Sequence, residues 1–75
     1  MESSKSAQIS LGKAIRARRK QLGYSQEGFA LICGLDRAHV GQIERGNGNP
    51  TFTLLIQICG TLKYSLEELF RDAGL

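Results

Sequence analysis

The residues with the most evident chemistry in this 75-residue chain lie between positions 37 and 45. If this stretch is a helix with about 100° per residue, Val40, Ile43 and Glu44 share one side. The other side offers Ala38, Gln42 and Arg45, and Arg37 in the first turn is long enough to swing outward and join them. Arginine can bind guanine through two hydrogen bonds, glutamine can bind adenine in the same way, and alanine can contact the methyl group of thymine. The pattern favours a helix that reads base edges in double-stranded DNA over a solvated polar face.

Catalytic and metal-binding chemistry has little support in the sequence. The single histidine, His39, has no aspartate or cysteine at the spacing of a nucleophile and its base. Cys33 and Cys59 are too few and too far apart for a zinc site or a redox pair. Glu67 and Glu68 are adjacent, so they point to different sides of a helix and cannot act as an acid–base pair. We therefore expect no enzymatic activity, no metal, no cofactor and no small-molecule ligand.

The charges are unevenly distributed along the chain. Ten Lys and Arg side chains against seven Asp and Glu give a net charge of +3 at pH 7. Residues 1–50 carry eight basic and four acidic side chains, a net +4, whereas residues 51–75 carry two and three, a net −1. A basic front and a mildly acidic back suit a protein that offers one face to phosphate. An unevenly charged surface without a partner would give the same counts, so charge alone leaves both readings open.

Several sequence features bear on the compartment. No apolar run approaches the roughly 18 residues of a membrane span. The N-terminal residues lack the apolar segment of a signal peptide. Both cysteines lie in apolar stretches typical of a buried free thiol, which implies a reducing compartment. We therefore expect a cytoplasmic protein that does not bind a membrane.

The helical periodicity predicts five helices and no strand, after a flexible N-terminus over residues 1–8. The first predicted helix starts at about Ile9 or Leu11 and ends at Leu22, and the others run approximately over residues 26–33, 37–45, 52–62 and 66–73. Ser25, Asp36 and Thr51 are the predicted N-caps of the second, third and fourth helices. Ser65 and Glu68 match a capping box at the start of the fifth. The fourth helix is apolar around most of its circumference, so we expect it to be buried on nearly every side.

The second and third helices are joined by a short turn that contains Gly34. A helix, a glycine-containing turn and a capped helix form the pattern of a helix-turn-helix, although any helical hairpin in a small bundle could show it. Glu44 lies on the inner side of the third helix, where a lone buried carboxylate is costly. It should therefore pair with an arginine of the first helix, and the spacing leaves Arg18 and Arg19 as alternatives.

Four segments together resemble a known family. They are Tyr24-Ser25-Gln26-Glu27, Gly34-Leu35-Asp36-Arg37, Ile43-Glu44-Arg45-Gly46 and Asn49-Pro50-Thr51. Over about residues 9–70 the chain resembles the Cro/phage-repressor (xenobiotic response element) helix-turn-helix family. The resemblance implies an all-α, five-helix, lambda-repressor-like DNA-binding domain whose third helix enters the major groove.

The resemblance also implies roles for individual residues. The family's base-reading positions match Arg37, Ala38 and Gln42. Its positions near the phosphate backbone match His39, Arg45, Asn47 and Asn49. Gln26 matches a residue that touches a phosphate and supports base readout, and the family's buried ion pair maps to Arg19 with Glu44. The chain departs from the family at Gly28 and Gly41, where larger residues are common.

Within that family, the chain is similar to the controller proteins of restriction-modification systems. The likeness rests on the short length and on Leu35-Asp36-Arg37 and Ile43-Glu44-Arg45-Gly46. It implies a dimeric, sequence-specific regulator of transcription. The alternative is an antitoxin-like or bridging module that uses the same fold to bind a protein.

We expect the domain, residues 9–75, to dimerise through its C-terminal helix, because single modules bind DNA weakly. The apolar surplus lies late in the chain, at Ile58, Leu62, Leu66, Leu69, Phe70 and Leu75. Some of these side chains should complete the core and the others should form a two-fold interface. We assign Ile58, Leu62, Leu66, Leu69 and Phe70 to the interface, although the spacing does not separate core from interface residues. A dimer would place its two reading helices about 34 Å apart, which predicts a palindromic operator.

Overall fold

The computed structural model describes residues 4–75, which fold into five α-helices. The helices are α1 (Ser4–Gln21), α2 (Gln26–Cys33), α3 (Arg37–Glu44), α4 (Phe52–Leu62) and α5 (Leu66–Ala73). No β-strand occurs among the described residues. The all-α, five-helix prediction is therefore confirmed, and the bounds of α2 to α5 agree with the predicted ones to within a residue.

The start of α1 differs from the prediction. The helix begins at Ser4, so the prediction of a flexible stretch over residues 1–8 is wrong for residues 4–8, and residues 1–3 lie outside the described part of the chain. The Lys5 ammonium group binds the loop that follows α3, and Ala7 and Gln8 lie in the helix beyond it. The Lys5 contacts join positions about forty residues apart, so the local polar sequence did not reveal them.

Local capping interactions fix the starts of three helices. The side chains of Ser25, Thr51 and Ser65 each accept a hydrogen bond from the backbone amide three residues later, as the sequence predicts. In the capping box, hydrogen bonds from Ser65 to the Glu68 carboxylate hold the pKa of Glu68 below its ordinary value. The capping box therefore stabilises the start of α5 at neutral pH. This stabilisation is lost as the pH falls through the lowered pKa of Glu68. Asp36 occupies the N-cap position of α3, but its side chain makes no capping hydrogen bond, contrary to the prediction.

All five helices contribute to one hydrophobic core. Its buried members are Leu11, Ala14, Ile15, Phe29, Ala30, Cys33, Val40, Ile43, Leu55, Ile58, Cys59, Leu62 and Leu69. Ile58, Leu62 and Leu69 are 0–1% exposed within a single chain, so the prediction that they contribute to a dimer interface is wrong. The reason is that these side chains of α4 and α5 complete the core of their own chain. Leu66 also packs against this core, whereas Phe70 remains partly exposed.

The exposed part of α4 includes two large apolar side chains. Phe52 is 68% exposed and Ile56 is 49% exposed, so the prediction that α4 is buried on nearly every side is wrong. Only the side carrying Leu55, Ile58, Cys59 and Leu62 is buried. Two apolar side chains are thus left on the surface of a helix whose other side already completes the core.

Candidate nucleic-acid interface

The turn between α2 and α3 has the geometry of a helix-turn-helix. Gly34 ends α2 in the left-handed conformation, with φ of 79°, which a residue with a side chain adopts only with strain. The Leu35 amide then donates to the Ala30 carbonyl at 2.9 Å, which closes the end of α2. The chain leaves this turn at Asp36 and starts α3 at Arg37. The turn therefore fixes the direction of α3 relative to α2.

The inner side of α3 is in direct contact with α1. Val40 and Ile43 enter the core. Gly12 of α1 lies so close to the end of α3 that an added Cβ would stand 2.4 Å from the Ile43 carbonyl oxygen and 2.7 Å from that of Glu44. The two backbones can approach this closely only because residue 12 has no side chain. Sequence reasoning gave Gly12 no role, although a glycine inside a predicted helix and beside the core residue Leu11 is a signal of such packing.

A buried ion pair joins α1 to α3. Arg19 Nε lies 2.6 Å from Glu44 Oε2, and Arg19 Nη2 lies 3.0 Å from Glu44 Oε1. The remaining guanidinium nitrogen, Nη1, donates to the Tyr24 carbonyl at 2.6 Å. The structure thus pairs Glu44 with Arg19, the residue implied by the family resemblance. Arg18 instead donates to the Leu62 carbonyl at the end of α4, at 3.1 Å.

Gln26 connects this ion pair to the start of α2. Its amide nitrogen donates to Glu44 Oε1 at 3.0 Å, and the side chain is half-buried. A Cβ added at Gly41 would lie 3.7 Å from the Gln26 carbonyl oxygen and 3.1 Å from the Arg45 guanidinium. The glycine at position 41 therefore leaves room for the side chains of Gln26 and Arg45 beside α3. Gln26 is held in place by the same carboxylate that anchors α3.

The outer side of α3 is open to solvent. Its exposed residues are Arg37, Ala38, His39, Gln42 and Arg45. Within residues 4–75, the side chains of these residues make no hydrogen bond or ion pair with the rest of the chain. The structure therefore brings the predicted base-reading residues together on one exposed surface, with their hydrogen-bonding groups unused.

The loop after α3 is held against α1 and exposes two asparagines. Gly46 has a φ of 79°, and an added Cβ would lie 2.7 Å from Ile9 Cγ1, so a side chain cannot fit there. Asn47 and Asn49 are exposed. Asn47 lies at the end of α3 and contacts Lys5, whereas Asn49 borders an open cleft formed by α1, Pro50 and the C-terminal part of the chain. The two predicted backbone-contact residues of this loop, Asn47 and Asn49, thus lie on different parts of it.

Residues 4–75 show no arrangement typical of a metal site or of a membrane span. No group of His, Cys, Asp or Glu between residues 4 and 75 is placed to hold a metal ion. No helix in that range is long and apolar enough to cross a membrane. Burial raises the pKa of the Cys59 thiol above its ordinary value, and both cysteines are buried free thiols. The outer side of α3 combines exposure with unused hydrogen-bonding groups on a helix whose inner side is fixed.

Comparisons with known proteins agree with this geometry. The family model HTH_3, described as helix-turn-helix, matches residues 15–69. An uncharacterised HTH-type transcriptional regulator of Bacillus subtilis, YazB, is 43% identical over 58 residues, which are 77% of this chain and 84% of YazB. Control protein C.SmaI of Serratia marcescens is 35% identical over 65 residues, which are 87% of this chain and 77% of that protein.

A solved structure shows the same architecture. The crystal structure of the restriction-modification controller protein C.AhdI from Aeromonas hydrophila superposes with a TM-score of 0.79 at 35% sequence identity. The match covers 83% of this chain and 94% of that one. The resemblance to helix-turn-helix regulators and to controller proteins, first indicated by the sequence motifs, is confirmed.

Proposed function

Because this chain belongs to the helix-turn-helix family HTH_3, we propose that it is a sequence-specific transcriptional regulator that binds a palindromic operator as a homodimer. One observation carries the proposal. The inner side of α3 is fixed by backbone contact with Gly12 and by the buried Arg19–Glu44 pair, while the outer side is exposed and makes no hydrogen bond within residues 4–75. A rigid helix with unused donors and acceptors is what base readout in a major groove requires.

In this proposal, three residues of α3 read bases. Arg37 binds a guanine, Gln42 binds an adenine, and Ala38 packs against a thymine methyl group. All three are exposed, and they belong to the first two turns of a helix that is held from beneath. Because these side chains face solvent, they are accessible to the base edges of DNA.

The phosphate backbone is bound on either side of this helix. His39, Arg45, Asn47 and Asn49 are exposed and offer donors. Gln26 lies at the first position of α2, where the backbone amides and the helix dipole favour an anion. One hydrogen of its amide is engaged by Glu44, which leaves the second for a phosphate oxygen.

The homodimer forms through the exposed apolar side chains of α4, α5 and Leu75. Phe52, Ile56, Phe70 and Leu75 are 36–68% exposed. Phe70 and Leu75 line one cleft with Leu55 of α4. Since α3 packs on α1 and α2, a second copy seated on α4 and α5 leaves the reading helix uncovered. This interface keeps Phe70 from the interface predicted from the sequence. Phe52 and Ile56 take the place of Ile58, Leu62 and Leu69, which are buried.

A more specific role follows from the relatives. C.SmaI is a control protein and C.AhdI is a restriction-modification controller. By analogy, this chain controls the operon of a restriction-modification system, and it acts in the cytoplasm as a regulator and not as an enzyme.

A protein-interaction module is the second candidate, because Leu31 is 83% exposed and Ile32 is 60% exposed on α2. This apolar pair lies on α2, outside the residues that the dimer uses in the main proposal, and offers a surface for a different protein. Recovery of a stable complex with another protein, together with no affinity for any DNA fragment, would favour this candidate.

The test of the main proposal is DNA binding measured by fluorescence anisotropy. The purified protein is titrated onto the DNA segment that precedes its own gene and onto a shuffled segment of the same composition. We expect at least about 10³-fold tighter binding to the first segment, with affinity that falls steeply as salt rises. Equal affinity for both segments, or none, would overturn sequence-specific regulation through that segment.

A further inference from the structure

Lys5 lies in the first described turn of α1, and polar groups from a loop about forty residues away hold its side chain. Its ammonium group donates to the Gly46 carbonyl at 2.7 Å and to Asn47 Oδ1 at 2.9 Å. Gly46 belongs to the turn that ends α3, where the carbonyl groups make the potential negative. Lys5 therefore joins the start of α1 to the end of the reading helix.

This contact determines how Asn47 presents its side chain. An ammonium group only donates hydrogen bonds, so the amide oxygen of Asn47 must face Lys5. The amide nitrogen, with two hydrogens, is then directed away from Lys5. The backbone of Asn47 is fixed as well, because its amide donates to the Gln42 carbonyl at 2.8 Å. Asn47 is thus an exposed donor held at a set position beside the outer side of α3.

We propose that Lys5 and Asn47 together bind one phosphate of the operator backbone, at the end of α3. This inference rests on the proposed function and adds a residue that the family comparison does not supply, since Lys5 precedes the matched residues 15–69. Two of the three ammonium hydrogens are engaged by the loop, and the third is available to a phosphate oxygen. The Asn47 amide nitrogen donates to the same phosphate, so the group meets one cation and one neutral donor.

A purely structural clamp would produce the same contacts in the free protein, but it has a different signature in DNA binding. A cation that neutralises a phosphate releases a counterion, and each such contact steepens the plot of log affinity against log salt by about 0.9. Loss of a clamp lowers affinity at every salt concentration and leaves that slope unchanged. The slope therefore separates a phosphate contact from a clamp.

The experiment compares three full-length variants with the wild type. Lys5→Ala removes the cation, and Asn47→Ala removes the neutral donor. Lys13→Ala is the matched control, because Lys13 is an exposed lysine on the same helix and makes no hydrogen bond or ion pair within residues 4–75. Operator affinity is measured by anisotropy from about 0.05 to 0.3 M salt. Thermal unfolding of each variant is recorded in parallel, so that a folding defect is detected separately.

We expect Lys5→Ala to reduce the slope by about 0.9 per protomer and the affinity about eight-fold per protomer at about 0.1 M salt. Asn47→Ala should weaken binding without changing the slope, and Lys13→Ala should change neither. A wild-type slope in Lys5→Ala, with or without lower thermal stability, would overturn the phosphate site. That result leaves the proposed function intact as long as the wild type binds its operator, whereas failure of the wild type to bind would overturn the proposed function itself.

Discussion

The helices α3 and α4 bury one side in the same core, but they expose opposite kinds of surface. The outer side of α3 carries Arg37, Gln42 and Arg45, with hydrogen-bonding groups that have no partner within residues 4–75. The exposed part of α4 includes Phe52 and Ile56, two large apolar side chains with no hydrogen-bonding group, beside Thr53 and Gln57. The first surface suits base edges and phosphates, and the second suits the apolar surface of another copy.

The inner sides differ as well. Leu55, Ile58 and Leu62 hold α4 by apolar packing, and hydrogen bonds that involve Arg18 and Gln57 tie it to α1 and α2. α3 has only Val40 and Ile43 in the core and is held in addition by a buried ion pair and by backbone contact with α1. Because only two apolar side chains anchor α3, its position depends on the buried ion pair and on the backbone contact with α1. Substitutions on the two helices should therefore differ in both the size and the kind of their effects.

Removing the carboxylate that anchors α3 should be the most damaging change. Glu44→Ala leaves the Arg19 guanidinium buried without its partner, which we expect to lower the free energy of unfolding by about 3–5 kcal/mol. The control is Glu67→Ala, which breaks the exposed pair with Arg71 and should cost at most about 0.5 kcal/mol. Urea denaturation measures both. Equal, small losses in the two variants would show that α3 does not depend on the buried pair.

A charge placed on the outer side of α4 should break the dimer. Ile56→Glu puts a carboxylate into the proposed apolar interface, and we expect the dimer dissociation constant to rise at least about 30-fold, the effect of losing a central interface residue. Leu31→Glu on α2 is the matched control because Leu31 is also apolar and exposed. Sedimentation equilibrium measures the dissociation constants. If Leu31→Glu dissociates the dimer and Ile56→Glu does not, the two-fold surface lies on α2.

On α3, Arg37→Ala should weaken operator binding by about 1–3 kcal/mol and relax the preference at one base pair of each half-site. The control is Arg16→Ala, which removes the same charge from an exposed position on α1. Both are measured by anisotropy against a set of operators with single base changes. A loss that is uniform over all of these operators would mean that Arg37 binds the backbone and reads no base.

The helix caps of α3 and α4 should differ only slightly in their contribution to stability. Thr51→Ala removes the hydroxyl that accepts a hydrogen bond from the Leu54 amide at 3.1 Å, so we expect a loss of about 1 kcal/mol in the free energy of unfolding. Asp36→Ala should cost less, because the Asp36 side chain makes no capping hydrogen bond. Thermal denaturation of the two variants compares the starts of α4 and α3. The reverse order would contradict the observed capping geometry.

The sequence was informative wherever the determining contacts are local. Ser25, Thr51 and Ser65 each bind an amide three residues away, so their helix starts could be predicted from short motifs. Gly34 was recognisable because a turn between two helices needs a left-handed residue. The outer side of α3 was predictable too, since a helical wheel needs only the helix and its apolar side.

The sequence was less informative where distant parts of the chain meet. The spacing left Arg18 and Arg19 as alternatives, because the choice depends on how α1 crosses α3 at Gly12. Lys5 was placed in a flexible segment, because its acceptors lie about forty residues away.

The same limit applied to the late apolar residues. A helical wheel shows that Ile58 and Leu69 lie on an apolar side. It does not show whether that side meets the same chain or a second copy, so they were wrongly predicted to contribute to the interface.

The central claim is that two copies of α3 read DNA on two-fold related surfaces. The most direct test is repeated selection of bound fragments from random double-stranded DNA by the wild-type protein, followed by sequencing. We expect an inverted repeat whose half-sites are centred about one helical turn, or 34 Å, apart. An unenriched pool, or a single asymmetric site bound by one copy, would contradict the claim.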